Sequence, residues 1–239
     1  MNRKLLSKDR IHHLLLAKDE YSLHSPLMFD FFTKGLKPGL DKTNYRCIRN
    51  FEKEITKKYN GGKISCSRSN NMFLCKLVRY FAPENILEVG TEFGISTQYM
   101  ARTNHNATVF SIGNSEEKTS VADKGFRENG INNVKLFSGL YDQLLPECLE
   151  KMRRVDFACI NKADNDDKIM RYIELILPYC SKECPIVIKG IYENEEMKKT
   201  WQEICEDKRF MICADFFSFG LILLSDKPLQ KQNYRLKMR

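Results

Sequence analysis

Residues 86–97, Ile-Leu-Glu-Val-Gly-Thr-Glu-Phe-Gly-Ile-Ser-Thr, constrain the fold of this chain more than any other stretch. A short apolar run that ends in a glycine turn and feeds a helix start is how an open α/β sheet cradles a nucleotide-type cofactor. Gly90 permits a sharp turn off the strand tip. Gly94 permits backbone to approach a ligand, or the next helix, without a Cβ in the way. Ser96 and Thr97 are each suited to cap the helix, whose first amides favour an anionic or carboxylate group. The spacing is Glu-x-Gly-x-x-x-Gly, so the Gly-x-Gly-x-x-Gly dinucleotide fingerprint is not met.

The rest of the chain carries the alternation such a turn requires. Strands are expected at 85–89, 108–112, 134–137, 156–160 and 185–188, with helices between them, including 116–129, closed by Gly130, and 166–177, closed by Pro178. Repeated β-α units with apolar strands imply a parallel sheet covered on both faces. A helix at 195–206 and two strands at 209–214 and 219–225 follow, the strands joined by a short turn at or just before Gly220. Upstream, helices are expected over 1–20, 27–32, 44–59 and 72–81, with a break at Tyr21–Pro26 and a Gly/Ser/Asn-rich loop at 60–71. This divides the chain into a helical N-terminal cap, 1–82, and an α/β domain, 83–239.

Composition narrows the class. Of 239 residues, 42% are hydrophobic and 29% charged, the balance of a globular protein. No apolar run approaches the ~20 residues that span a bilayer, and Leu14–Ala17 is too short for a signal peptide, so a cytoplasmic protein with no membrane partner is expected. Nine scattered cysteines read as free thiols in a reducing compartment, and no second pair follows Cys180 and Cys184 at zinc-site spacing. The net charge of +8 gathers at both ends, in Arg3-Lys4 and in 231–239. Read as solvated tails, these argue against nucleic acid as a partner, since no basic stripe alternates with aromatics.

The pattern Glu88-x-Gly90-x-x-x-Gly94 resembles the first motif of class I methyltransferases that use S-adenosylmethionine. Residues 21–33, with His24-Ser25-Pro26, resemble an N-terminal segment of a bacterial O-methyltransferase-like group. So do Ile191-Tyr192 through Trp201-Gln202-Glu203-Ile204 and the stretch Phe219–Leu224. The resemblance implies a Rossmann-like class I methyltransferase fold, a parallel sheet ending in an antiparallel hairpin. It implies S-adenosylmethionine as cofactor, S-adenosylhomocysteine as product, and contacts from Glu88, Gly90, Thr91, Gly94, Ser96, Asn114 and Asn161.

Three positions depart from that pattern. The acid that ends the second strand and bonds the ribose is replaced by Gly113, with Asn114, Glu116 and Glu117 beside it. A carboxylate lost there costs on the order of 1.5–3 kcal/mol of binding, so Gly113→Glu is expected to tighten the cofactor. The fourth strand ends in Asn161, with Asp164 where the group has His, and the fifth in Lys189-Gly190 rather than acids. Hard cations need oxygen ligands, so no divalent metal is expected. Lys189 reads either as a base or as a solvated residue, and His24 either as a proton acceptor or as a local capping residue. Two functions follow: methyl transfer to a small-molecule acceptor, a hydroxyl among the options, or a non-catalytic binding module on the same fold. A homodimer stays open.

Overall fold

A computed structural model describes residues 3–18, 25–59, 67–161, 168–225 and 230–237. Eight strands are described: β1 (Asn85–Val89), β2 (Thr108–Gly113), β3 (Val134–Ser138), β4 (Phe157–Ile160), β5 (Pro185–Lys189), β6 (Ile212–Asp215), β7 (Phe219–Leu223) and β8 (Gln232–Arg235). They form one sheet in the order β3-β2-β1-β4-β5-β7-β6-β8. The first five are parallel, and β7 runs antiparallel to both β5 and β6. The chain order reverses between β1 and β4, so their carboxyl ends flank a crevice of the kind in which open α/β sheets bind ligands.

Period-two alternation sorts the strand side chains onto two buried faces. Ile86, Val109, Phe157, Cys159 and Val187 meet the helices α4 (Arg68–Phe81), α5 (Ile95–Thr103) and α6 (Glu116–Glu128). Leu87, Val89, Phe110, Ile112, Ala158 and Ile160 meet α7 (Tyr141–Met152), α8 (Lys168–Ile176) and α9 (Glu195–Glu206). Three helices come before α4: α1 (Arg3–Leu16), α2 (Pro26–Asp30), which continues into a wider π-type turn at Phe31–Leu36, and α3 (Arg46–Lys58). Among the described residues no helix is long and apolar enough to cross a membrane.

Three details differ from expectation, each for a local reason. Helix α4 begins four residues early because Ser67 caps it, accepting from the Asn70 amide at 3.3 Å. Strand β6 begins at Ile212 rather than 209 because Arg209 is tied into a turn with Asp207. The β6–β7 turn lies at 216–218, just before Gly220 as expected, with Phe217 at φ +65° and Gly220 inside β7. A Cβ at Gly220 would lie 2.5 Å from the Trp201 ring, so the glycine makes room for that indole. The basic C-terminal stretch is not a free tail. It forms β8, parallel to β6, and Leu236 just beyond is fully buried.

Candidate cofactor site

Glu88 sits in β1 opposite Ser111 of β2 and Cys159 of β4, on the inward face, and is fully buried. A buried carboxyl is tolerated only when its oxygens are satisfied. Oε1 accepts from Ser96 Oγ at 2.7 Å and from Asn161 Nδ2 at 2.6 Å. Oε2 accepts from Thr97 Oγ1 at 2.5 Å and from Ser111 Oγ at 2.6 Å. Thr91 Oγ1 stands 2.6 Å from Ser111 Oγ, whose proton is committed to Glu88, so Thr91 donates. Burial pushes the Glu88 carboxyl above its usual range, against the lowering effect of these four bonds.

Asn161 is the residue just past β4, and its amide nitrogen also reaches Gly90 O at 3.3 Å and Ser96 Oγ at 3.1 Å. Its Oδ1 accepts from the Cys159 thiol at 3.4 Å. Asn161 therefore braces the glycine loop from below.

The loop runs from Gly90, at φ +100°, to Gly94, at φ +69°. Gly94 meets the next helix: a Cβ there would lie 2.7 Å from both Ala122 Cβ and the Phe126 ring of α6. Between them Glu92 adopts φ +49°, a region sparsely populated by residues with side chains. Its carboxylate reaches the first turn of α6, with Oε2 2.5 Å from Lys118 Nζ. Gly113 ends β2 beside this loop. A Cβ there would meet Thr119 Oγ1 at 2.6 Å and Thr91 Cβ at 3.3 Å. Thr119 and Thr91 thus fill the space of the expected acid, which alters the expectation for Gly113→Glu: its gain must offset displacement of Thr119.

The start of α5 is the least ordinary feature of the site. Helices leave their first amides without intrahelical partners, and a buried end needs other acceptors. Side chains meet this need in α2, α4, α6 and α9, through Ser25, Ser67, Ser115 and Asn194. Helix α5 has Gly94 at its N-cap and, like α3 and α7, no side-chain cap. Ser96 and Thr97, expected as caps, lie inside the first turn and give their hydroxyls to Glu88. Ile95, Ser96 and Thr97 are all buried. Their amides, at the positive end of the helix, are donors for a carboxylate or other anion.

The structure brings Glu88, Gly90, Thr91, Gly94, Ser96 and Asn161 to one crevice at the β1/β4 switch. Asn114 lies exposed just past β2, at the crevice's other side, with Glu116 and Glu117 exposed at the start of α6. Lys189 ends β5, one strand beyond Asn161, half-buried and paired in register with Phe219. His24 and Asp164 lie outside the described residues. Among the described residues no group of three His, Cys, Asp or Glu side chains is arranged to hold a metal ion. Sequence reading missed Ser111, Glu92 and Lys118. Ser111 left a signal, as a lone hydroxyl inside an apolar strand requires a partner.

No protein-family model matches the chain, and no curated protein matches it. Solved structures do. An O-methyltransferase from Bacillus cereus, in complex with S-adenosylhomocysteine, is 19% identical, with a TM-score of 0.64 over 83% of this chain and 97% of that one. A Podospora anserina methyltransferase bound to S-adenosylhomocysteine is 14% identical, with a TM-score of 0.64 over 95% and 97%. An O-methyltransferase of tomaymycin synthesis from Streptomyces achromogenes, in complex with S-adenosylmethionine, is 16% identical, with a TM-score of 0.63 over 83% and 96%. At these identities the likeness establishes the fold, which is that of the class I methyltransferases.

Proposed function

We propose that the chain transfers a methyl group from S-adenosylmethionine to a hydroxyl-bearing small molecule without a divalent metal. The observation that carries this reading is the buried, uncapped start of α5 beside the Glu88 network. Its amides suit the cofactor's carboxylate, and Gly90, without a Cβ, turns the chain off the tip of β1 beside them. Glu92 supplies the carboxylate missing at Gly113. In this reading its carboxylate, which pairs with Lys118 in the first turn of α6, accepts from the ribose hydroxyls.

The bound cofactor would supply an electrophilic methyl on a sulfonium. The chain's own work is then to bind, align the acceptor and exclude water. Glu88, Thr91, Ser111 and Asn161 act indirectly, by fixing the loop. Two residues remain for taking the acceptor's proton, Lys189 at the β5 tip and His24. Asn161 and Lys189 at the β4 and β5 tips support metal independence, because an amide is a weak neutral ligand and an ammonium repels a cation.

The test is turnover. Purified protein is incubated with S-adenosylmethionine and a panel of small hydroxylated acceptors, with and without EDTA, and S-adenosylhomocysteine is quantified. The reading predicts acceptor-dependent product that EDTA leaves unchanged and that Lys189→Met or His24→Ala reduces. Loss of product with EDTA would overturn metal independence. Absence of product with every acceptor class would favour the binding module.

A further inference from the structure

A cavity of about 350 Å3 lies away from the crevice, between α9, strand β6, the edge strand β8 and the end of α1. Its size falls in the range that holds small organic ligands. Trp201 and Tyr192 form two walls. Both rings are fixed from behind. Trp201 is pressed against the bare backbone of Gly220. Tyr192 stacks on Phe217 with centroids 5.0 Å apart, and its hydroxyl donates to Asp215 Oδ2 at 2.7 Å.

The charges around the cavity are unequally committed. Asp215 is saturated. Oδ1 faces His13 Nε2 at 3.0 Å and accepts from the Phe217 amide at 2.8 Å, and Oδ2 accepts from Tyr192. Lys198 is held by Asp9 and Glu195. Arg235, the last residue of β8, makes a single long contact, Nε to Asp215 Oδ2 at 3.4 Å. Its two terminal nitrogens have no hydrogen-bond partner among the described residues. A guanidinium fork with free donors beside fixed aromatic walls matches a planar ring carrying a carboxylate, which Arg binds in bidentate fashion. Lys18, which also lines the cavity, adds a positive charge.

We propose that this cavity is a second small-molecule site, for an aromatic carboxylate, separate from the cofactor crevice. Asp215 lies three strands beyond the β4 tip, roughly 14 Å at ordinary strand spacing, so a ligand here leaves the crevice open. The site does not depend on the methyltransferase reading.

Trp201 is the chain's one tryptophan, so it reports on this cavity directly. Full-length protein is titrated with benzoate, benzamide and acetate while Trp201 emission is followed. Benzoate should change the emission saturably, with benzamide and acetate at least tenfold weaker. Arg235→Gln should weaken benzoate at least tenfold while leaving the urea midpoint and the affinity for S-adenosylhomocysteine unchanged. Saturation-transfer NMR with Trp201→Phe reads benzoate binding without the indole. Should Arg235→Gln disturb folding, Lys18→Gln is the second variant and should weaken benzoate by two- to threefold. No saturable benzoate response by either method, an equal response to benzamide, or full affinity in a folded Arg235→Gln variant would each overturn the proposal.

Discussion

Asn161→Asp restores an acid at the β4 tip, and the geometry predicts that it harms the fold. In the native chain Asn161 Nδ2 donates to Glu88 Oε1 at 2.6 Å, to Ser96 Oγ at 3.1 Å and to Gly90 O at 3.3 Å. Aspartate has no hydrogen to donate, which removes a bond to a carboxyl worth about 1.5–3 kcal/mol. It also sets two carboxyls in contact. Both ionised about 3 Å apart, they would repel by roughly 5 kcal/mol at an effective dielectric of 20, so the pair keeps one proton. That proton is bound in the folded state and lost in the unfolded one above the usual carboxylate range. Stability therefore falls as pH rises, by at most about 1.4 kcal/mol per unit.

The deficit relative to the native chain should be about 1–2 kcal/mol at pH 5.5 and about 3–5 kcal/mol at pH 8.5. For a chain of this length the latter is a fall of roughly 10 °C in melting temperature. Urea denaturation at the two pH values, followed by Trp201 emission, measures it. A variant as stable as the native chain, or one whose deficit does not grow with pH, would refute the Glu88–Asn161 contact.

Other expectations follow from the same geometry. Gly94→Ala combines a left-handed backbone with a Cβ 2.7 Å from Ala122 and Phe126, and should cost about 2–4 kcal/mol in urea unfolding. Glu92→Gln should weaken S-adenosylhomocysteine about tenfold in calorimetry while changing stability little, since its pair with a partly exposed Lys118 is worth at most about 1 kcal/mol. Asp215 resists the upward push of burial through hydrogen bonds from His13, Tyr192 and the Phe217 amide, which hold its carboxyl below the usual 3.8. That stability is present above pH 4 and is lost as pH falls through the lower folded value. Asp215→Asn should thus be about 3 kcal/mol less stable at pH 7, and the gap should close in acid denaturation.

The fold was legible because strand polarity and period carry it. The five parallel strands and the helix Glu195–Glu206 follow from apolar runs and capping residues, and β1 and α9 match expectation residue for residue. Strand β8 was hidden, because Gln232–Arg235 has a polar, basic composition that resembles a solvated end, and only its pairing with β6 defines it. The glycine loop was legible as a turn, yet the partners of Glu88 were not. Ser111 and Asn161 reach it from β2 and from just past β4, and register across a sheet is not written in local sequence. Gly113 looked like a vacated acid position. The filling of that space by Thr119 is a tertiary fact, as is the reach of Glu92 from a strained backbone position.

The most direct test of the central claim is calorimetric titration of the full-length protein with S-adenosylhomocysteine. The account predicts one site per chain with micromolar affinity, weakened in Glu92→Gln. No heat of binding at millimolar ligand would contradict it, and the buried start of α5 would then need another explanation.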